Sequence, residues 1–104
     1  MNNPIKNMFT SFKKETSSDT IILIRIGDYY EAFEDDAIKI SKLLSLPLLN
    51  DRTGIPYHYM EQYIPKMIRA GLRIAICDNG KIIERITPCV CYNNTLNAQN
   101  ENAA

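Results

Sequence analysis

The sequence predicts an α/β fold, a mixed β-sheet flanked by about three helices in a single domain. Three observations predict it. Apolar residues recur at helical spacing in three separate segments of the chain. Runs rich in β-branched residues, such as Thr20 to Ile26, alternate with those segments. Asn79-Gly80 joins the last two runs, and Asn-Gly between alternating strands is the strongest short hairpin signal, because both turn positions need positive φ.

Pro4 fits the first turn of a helix, where its missing N–H costs nothing. Ile5, Met8, Phe9 and Phe12 then recur on one side, with Lys6, Lys13 and Lys14 elsewhere on the cylinder. Thr16 to Asp19 ends that helix. Thr20 to Ile26 is apolar on both faces except at Arg25 and reads as a central strand. Gly27-Asp28 allows a bend or bulge, after which Tyr29 to Phe33 continues extended. A second helix is expected from Glu34 to Leu44. Asp35 and Asp36 fall in its first turn, where the dipole favours anions, and Ala37, Ile40, Leu43 and Leu44 form the inward stripe. Leu46-Pro47-Leu48-Leu49 is short, and Pro47 restricts it to an edge strand or a strand start. Asn50 to Gly54 reads as a polar turn. The third helix is expected over Tyr59 to Ala70, with Met60, Tyr63, Ile64, Met67 and Ile68 inward and Gly71 as a left-handed cap. Pro65 falls inside its pattern and either kinks the helix or delays its start. Arg73 to Cys77 and Lys81 to Ile86 are the strands of the final hairpin.

The folded module is expected over residues 1–90. From 91 to 104 the chain turns to Asn, Gln, Thr and Ala, too little apolar surface to order itself, so a flexible polar tail is expected. That tail, with no apolar segment after it, leans toward a complete small protein. Twelve basic and twelve acidic residues give a formal net charge of zero. Nonspecific affinity for nucleic acid comes mainly from cations displacing counterions, so a neutral domain binds duplex DNA weakly alone and any basic face is local. No secretory signal pattern opens the chain and its longest apolar run is far short of a bilayer span. The expectation is a cytoplasmic protein with no membrane contact. Cys77, Cys89 and Cys91 make an odd count, unlike a secreted disulfide scaffold. Cys89-x-Cys91 supplies two thiolates, which cannot complete a tetrahedral zinc site, and reduced, buried or idle thiols are expected with no metal.

The stretch from Ile21 to Ala37 carries the chemistry. Its apolar run breaks at Gly27 and then places Tyr29 and Glu31 two residues apart, on the same side of an extended chain. A flat ring beside a carboxylate suits a nucleobase, the ring stacking on its face and the carboxylate taking a hydrogen bond from its edge. The other reading is that Tyr29, Tyr30 and Phe33 are ordinary packed aromatics and Glu31 faces solvent.

Gly27-Asp28-Tyr29-Tyr30-Glu31-Ala32-Phe33 resembles the Gly-Asp-Phe-Tyr-Glu-Leu-Phe-like motif of the N-terminal mismatch-recognition domain, domain I, of the MutS DNA mismatch-repair family. Gly54-Ile55-Pro56-Tyr57-His58 is similar to that family's Gly-Ile-Pro-Tyr-His element, Ile74-Ala75-Ile76-Cys77 to its Val-Ala-Ile-Cys strand, and Glu84-Arg85-Ile86-Thr87-Pro88 to its Arg-x-Val-Thr-Pro strand. The blocks occur in the family's order with compatible spacing, from about Lys6 to Val90. The resemblance implies the family's α/β fold and a noncatalytic role in binding duplex DNA. It also implies a wedge: the family's Phe enters from the minor groove and stacks on a mispaired base while the Glu hydrogen-bonds it and the duplex kinks. Here Tyr29 takes the wedge position and Glu31 the hydrogen-bonding one. Tyr keeps the stacking face and adds a hydroxyl that must stay solvated or paired.

Lys13, Lys14, Lys66 and Arg69 are the first candidates for backbone contacts, with Lys39, Lys42 and Arg73 behind them; each is equally readable as a solvated helix face. Glu34, Asp35 and Asp36 place negative charge near the wedge and oppose phosphate approach. Enzyme readings fare poorly. Gly27, Gly54, Gly71 and Gly80 are the only glycines, so the chain has no ATP-binding loop and no cofactor is expected. His58, the sole histidine, sits before a helix in a turn-stabilising position. Asp28, Glu31 and the acids after them could be imagined as magnesium ligands, but helix N-terminal charge preference accounts for most of them. The alternative function is a protein-interaction module that keeps the fold and docks a repair or mobile-element protein. Self-association or such a partner would supply the avidity a single weak module lacks.

Overall fold

Ile21, Ile22, Leu23 and Ile24 are all buried, on both faces of one strand, and that demands a central position with cover above and below. In the computed structural model, which describes residues 4–88, this strand is β1 (Thr20–Ile26). It follows α1 (Pro4–Glu15) and is followed by β2 (Tyr29–Phe33), α2 (Glu34–Leu44), β3 (Arg52–Pro56), a 3₁₀ turn (Tyr57–Tyr59), α3 (Met60–Arg69), β4 (Arg73–Asp78) and β5 (Lys81–Ile86). The five strands lie in the order β3-β2-β1-β4-β5. Only β1 and β4 run parallel, joined by a crossover through β2, α2, β3 and α3; every other neighbouring pair is antiparallel. A mixed α/β sheet with three helices is thus what the chain forms. The region 91–104, and with it the expected tail, lies outside the described residues, as do Cys89 and Cys91.

The two faces have separate cores. Ile21, Leu23, Ala32, Ile55, Ile74 and Ile76 meet Ala37, Ile40 and Leu44 of α2 and Met60 and Met67 of α3. On the opposite face Ile22, Ile24, Phe33, Ala75 and Cys77 meet Phe9 and Phe12 of α1. Burial pushes the Cys77 thiol up to about 12, so it stays protonated and inert at neutral pH. Among the described residues no helix is long and apolar enough to cross a membrane.

Two turns differ from expectation. Gly27-Asp28 is not a bend within a continuing strand but a tight hairpin, with Ile26 opposite Tyr29 and Ile24 opposite Glu31. Gly27 at φ +60° supplies the positive dihedral that a two-residue turn of this kind needs at its first central position. The edge strand is Arg52–Pro56, not Leu46 to Leu49. Asn50 and Asp51, at φ 52° and 60°, are the two central residues of a turn closed by paired Leu49–Arg52 backbone hydrogen bonds of 2.9 and 3.0 Å. The polar turn is therefore shorter than expected, and its last residues are strand.

α2 starts with no loop. Glu34 adopts φ 55° and its N–H reaches the Asp51 carbonyl at 2.8 Å, turning β2 directly into the helix. Asp35 and Asp36 occupy the first turn as expected, yet Asp36 is buried and Leu43, placed in the inward stripe, is exposed. α3 continues through Pro65 and ends at Gly71, where Leu72 N–H returns to the Met67 carbonyl at 3.0 Å and Gly71 N–H to that of Ile68 at 2.9 Å.

Candidate functional site

Strand alternation sets the site. Phe33 belongs to the α1-side core, so Glu31 and Tyr29, two and four residues earlier on β2, share its face. α1 covers that face at Phe33, where Phe9 packs with ring centroids 5.7 Å apart. It leaves the Tyr29 end open, and Tyr29 is 47% exposed. Across the ladder Gly54 stands opposite Glu31 and Arg52 opposite Phe33. The absent side chain at Gly54 opens the floor between the ring and the carboxylate. A Cβ there would lie 3.3 Å from Glu31 Cγ and 3.4 Å from Tyr29 Cδ2. Gly54→Ala is therefore expected to displace Glu31 and the Tyr29 ring by a few tenths of an ångström, read as chemical-shift changes confined to these residues, with little change in melting temperature.

One oxygen of Glu31 is already engaged. Arg52 Nε donates to its Oε1 at 2.9 Å and Arg52 Nη2 donates to the same oxygen. The guanidinium also lies 5.0 Å from the Phe33 ring centroid, which fixes it from behind. Tyr29, Glu31, Arg52 and Gly54 line an open depression of about 470 Å³, completed by Pro47, Leu49, Asn50 and Thr53. That size suits a small planar group held between an apolar wall and a few polar atoms.

The sequence alone does not mark Arg52 as a site residue, because its position reads as part of a polar turn. Only its cross-strand register against Phe33 brings it to Glu31. Nor does the sequence single out Arg25. Its guanidinium stacks 4.4 Å from the Tyr57 ring centroid and 5.5 Å from that of Tyr30, and its Nε donates to the Gly27 carbonyl at 2.6 Å.

The structure does not bring the expected lysines and arginine to this pair. Lys13 has a structural task instead. Its ammonium donates to Asp36 Oδ1 at 2.8 Å and to the carbonyls of Ser18 and Thr20, while Asp36 Oδ2 accepts the Ile22 N–H at 2.9 Å. Lys14 is exposed on α1. Lys66 and Arg69 are exposed on α3, which packs on the opposite face of the sheet from Tyr29 and Glu31. The acids near the wedge oppose phosphates less than their number suggests, since Asp36 pairs with Lys13 and Glu34 with Lys6 at 3.4 Å. His58 lies in the 3₁₀ turn before α3, its ring 4.4 Å from Tyr57 and 5.5 Å from Tyr59 between centroids. No three His, Cys, Asp or Glu side chains among the described residues converge as a metal site requires.

A family model described as MutS domain I matches residues 3–90. The chain is 35% identical over 80% of its length to a DNA mismatch repair protein MutS of Salinibacter ruber, of which it covers 12%. It is 33% identical over 95% of its length to the protein of that name from Christiangramia forsetii, covering 14% of it. Over 62% of its length it is 45% identical to that of Thermotoga neapolitana, covering 9%. The chain thus spans a small fraction of the curated relatives it matches.

Proposed function

The chain belongs to the MutS family through its domain I, and from that premise we propose that it is a noncatalytic DNA-binding module that probes mispaired or distorted duplexes with Tyr29 and Glu31. One observation carries the reading: Tyr29 is half exposed beside Glu31 on an uncovered part of the sheet, with Gly54 leaving room between them. The ring acts as a wedge. Unstacking a base step costs a few kcal/mol, and a mismatch reduces that cost because its bases are already poorly paired. Discrimination then arises from the energy of deforming the duplex, with the carboxylate adding a hydrogen bond to the displaced base. No cofactor takes part in this role, and a cytoplasmic setting suits it.

Affinity is expected to be low. The formal net charge is zero and Arg52, the cation at the pair, is engaged with Glu31, so few counterions are released. A second copy or a repair or mobile-element protein that also grips DNA would raise it through effective concentration. Anisotropy titrations of matched, mismatched and single-stranded oligonucleotides at low salt test the reading. Tighter binding to the mismatch, weakening as salt rises, is the expected result. Equal affinity for matched and mismatched duplexes would sink it.

The zero net charge and the exposure of Leu49, at 73%, favour a second reading in which this surface docks a protein. A mainly apolar contact would hold its affinity through the same salt titration.

A further inference from the structure

Resting on that DNA reading, we propose that Arg52 and Glu31 form a donor–acceptor pair that recognises the minor-groove edge of a guanine beside Tyr29. Nε and Nη2 of Arg52 both point at one oxygen of Glu31, Oε1. The other oxygen, Oε2, accepts no hydrogen bond from a described residue, and the remaining guanidinium N–H groups have no acceptor among them. Phe33 behind the guanidinium holds it in place. Unused donors of Arg52 and an unused acceptor of Glu31 thus belong to one ion pair, and both residues line the depression that Tyr29 also lines. Arg52 is the more exposed partner, with 43% of its side chain accessible against 18% for Glu31.

Such a pair needs an acceptor next to a donor. In the minor groove A·T and T·A present acceptors alone, and guanine adds its N2 amino group beside N3. A lone carboxylate would be repelled by those acceptor lone pairs, since an ionised Glu cannot donate. Arg52 supplies the donor that N3 wants, and Glu31 Oε2 takes the N2–H. Adenine offers a similar pair in the major groove, N7 with N6–H. Side-chain wedges that unstack a step work from the minor groove, however, and Tyr29 stands next to this pair.

The test uses base analogues and the full chain. In a G·T wobble the 2-amino group makes no pairing hydrogen bond, so inosine deletes that donor and leaves the pair intact; 3-deazaguanine deletes the N3 acceptor. By anisotropy, the chain is expected to bind I·T and 3-deazaguanine·T duplexes each about tenfold more weakly than G·T. Glu31→Ala should bring the inosine ratio to one. Arg52→Met should bring the 3-deazaguanine ratio to one while leaving the inosine ratio in place. Should Arg52→Met fail to fold, the analogue ratios in the unaltered chain still decide. Ratios of one for both analogues, with Tyr29→Ala still weakening binding, would overturn the guanine proposal and spare the wedge. So would a loss confined to 7-deazaadenine, which would place the pair in the major groove. If Tyr29→Ala changes binding to no duplex, the underlying DNA reading fails instead.

Discussion

Asp36→Ala is expected to destabilise the domain by about 3 kcal/mol, read as a shift of the urea midpoint at constant slope. The carboxylate joins three elements: it accepts the Ile22 N–H of β1, pairs with Lys13 of α1, and itself belongs to α2. β2 ends opposite this part of β1, so the Ile22 N–H has no strand partner on that side. Removing the carboxylate strands both that N–H and a largely buried ammonium, and an unpaired buried charge is what makes such losses large. Replacing both members of the pair, in Lys13→Met/Asp36→Leu, is expected to cost less than the two single changes summed, because neither charge is then left alone. Additive losses would mean that the two side chains act independently.

The same carboxyl has a pH signature. Burial raises it above 3.8, with the Lys13 ammonium and the Ile22 N–H pulling the other way. The folded chain therefore holds this proton more tightly than the unfolded chain. Its contribution to stability is fully present below 3.8, declines as pH rises through the raised folded value, and is level above it. Asp36→Asn removes that slope. Urea midpoints of the two proteins across the acidic range are expected to show the wild type losing stability relative to Asp36→Asn as pH increases. A difference that stays constant would contradict the raised value.

Local signals made much of this fold legible. β1 announces itself by apolar residues on both faces, α2 by its acidic start, and the last hairpin by Asn79-Gly80 at φ 53° and 74°. β3 was illegible for a local reason as well. Thr53 and Ile55 favour a strand, but Gly54 and Pro56 oppose one, and the polar run from Asn50 reads as a turn. That segment is strand because it pairs with β2, a tertiary cause that propensity does not carry. The site divides along the same line. Tyr29 and Glu31 stand two apart on one strand, so their shared face followed from the period of two. Arg52 comes from a neighbouring strand and is set by register alone. Asp36 shows the opposite error: the dipole explains an acid in the first turn of α2, but not which of the acids points inward to meet Lys13.

Tyr29→Ala is expected to weaken binding to a mismatched duplex about tenfold, the loss associated with one stacked base, and to leave the melting temperature nearly unchanged. The second half of that expectation follows from position: the ring is half exposed and belongs to neither core cluster. Matched duplex should lose much less, because a sound base step resists the wedge and little stacking energy is realised there. Tyr29→Phe separates the ring from its hydroxyl. That hydroxyl has no hydrogen-bond partner among the described residues, so it is hydrated in the free chain and must surrender water as the ring enters the stack. Phe is expected to bind the mismatch about two- to fivefold tighter than Tyr, at unchanged salt dependence, since no charge is altered. Tyr57→Ala serves as the control, because that ring is exposed too but is stacked under Arg25. An equal loss in Tyr57→Ala and Tyr29→Ala would show that a general aromatic surface binds the DNA, with no wedge at Tyr29.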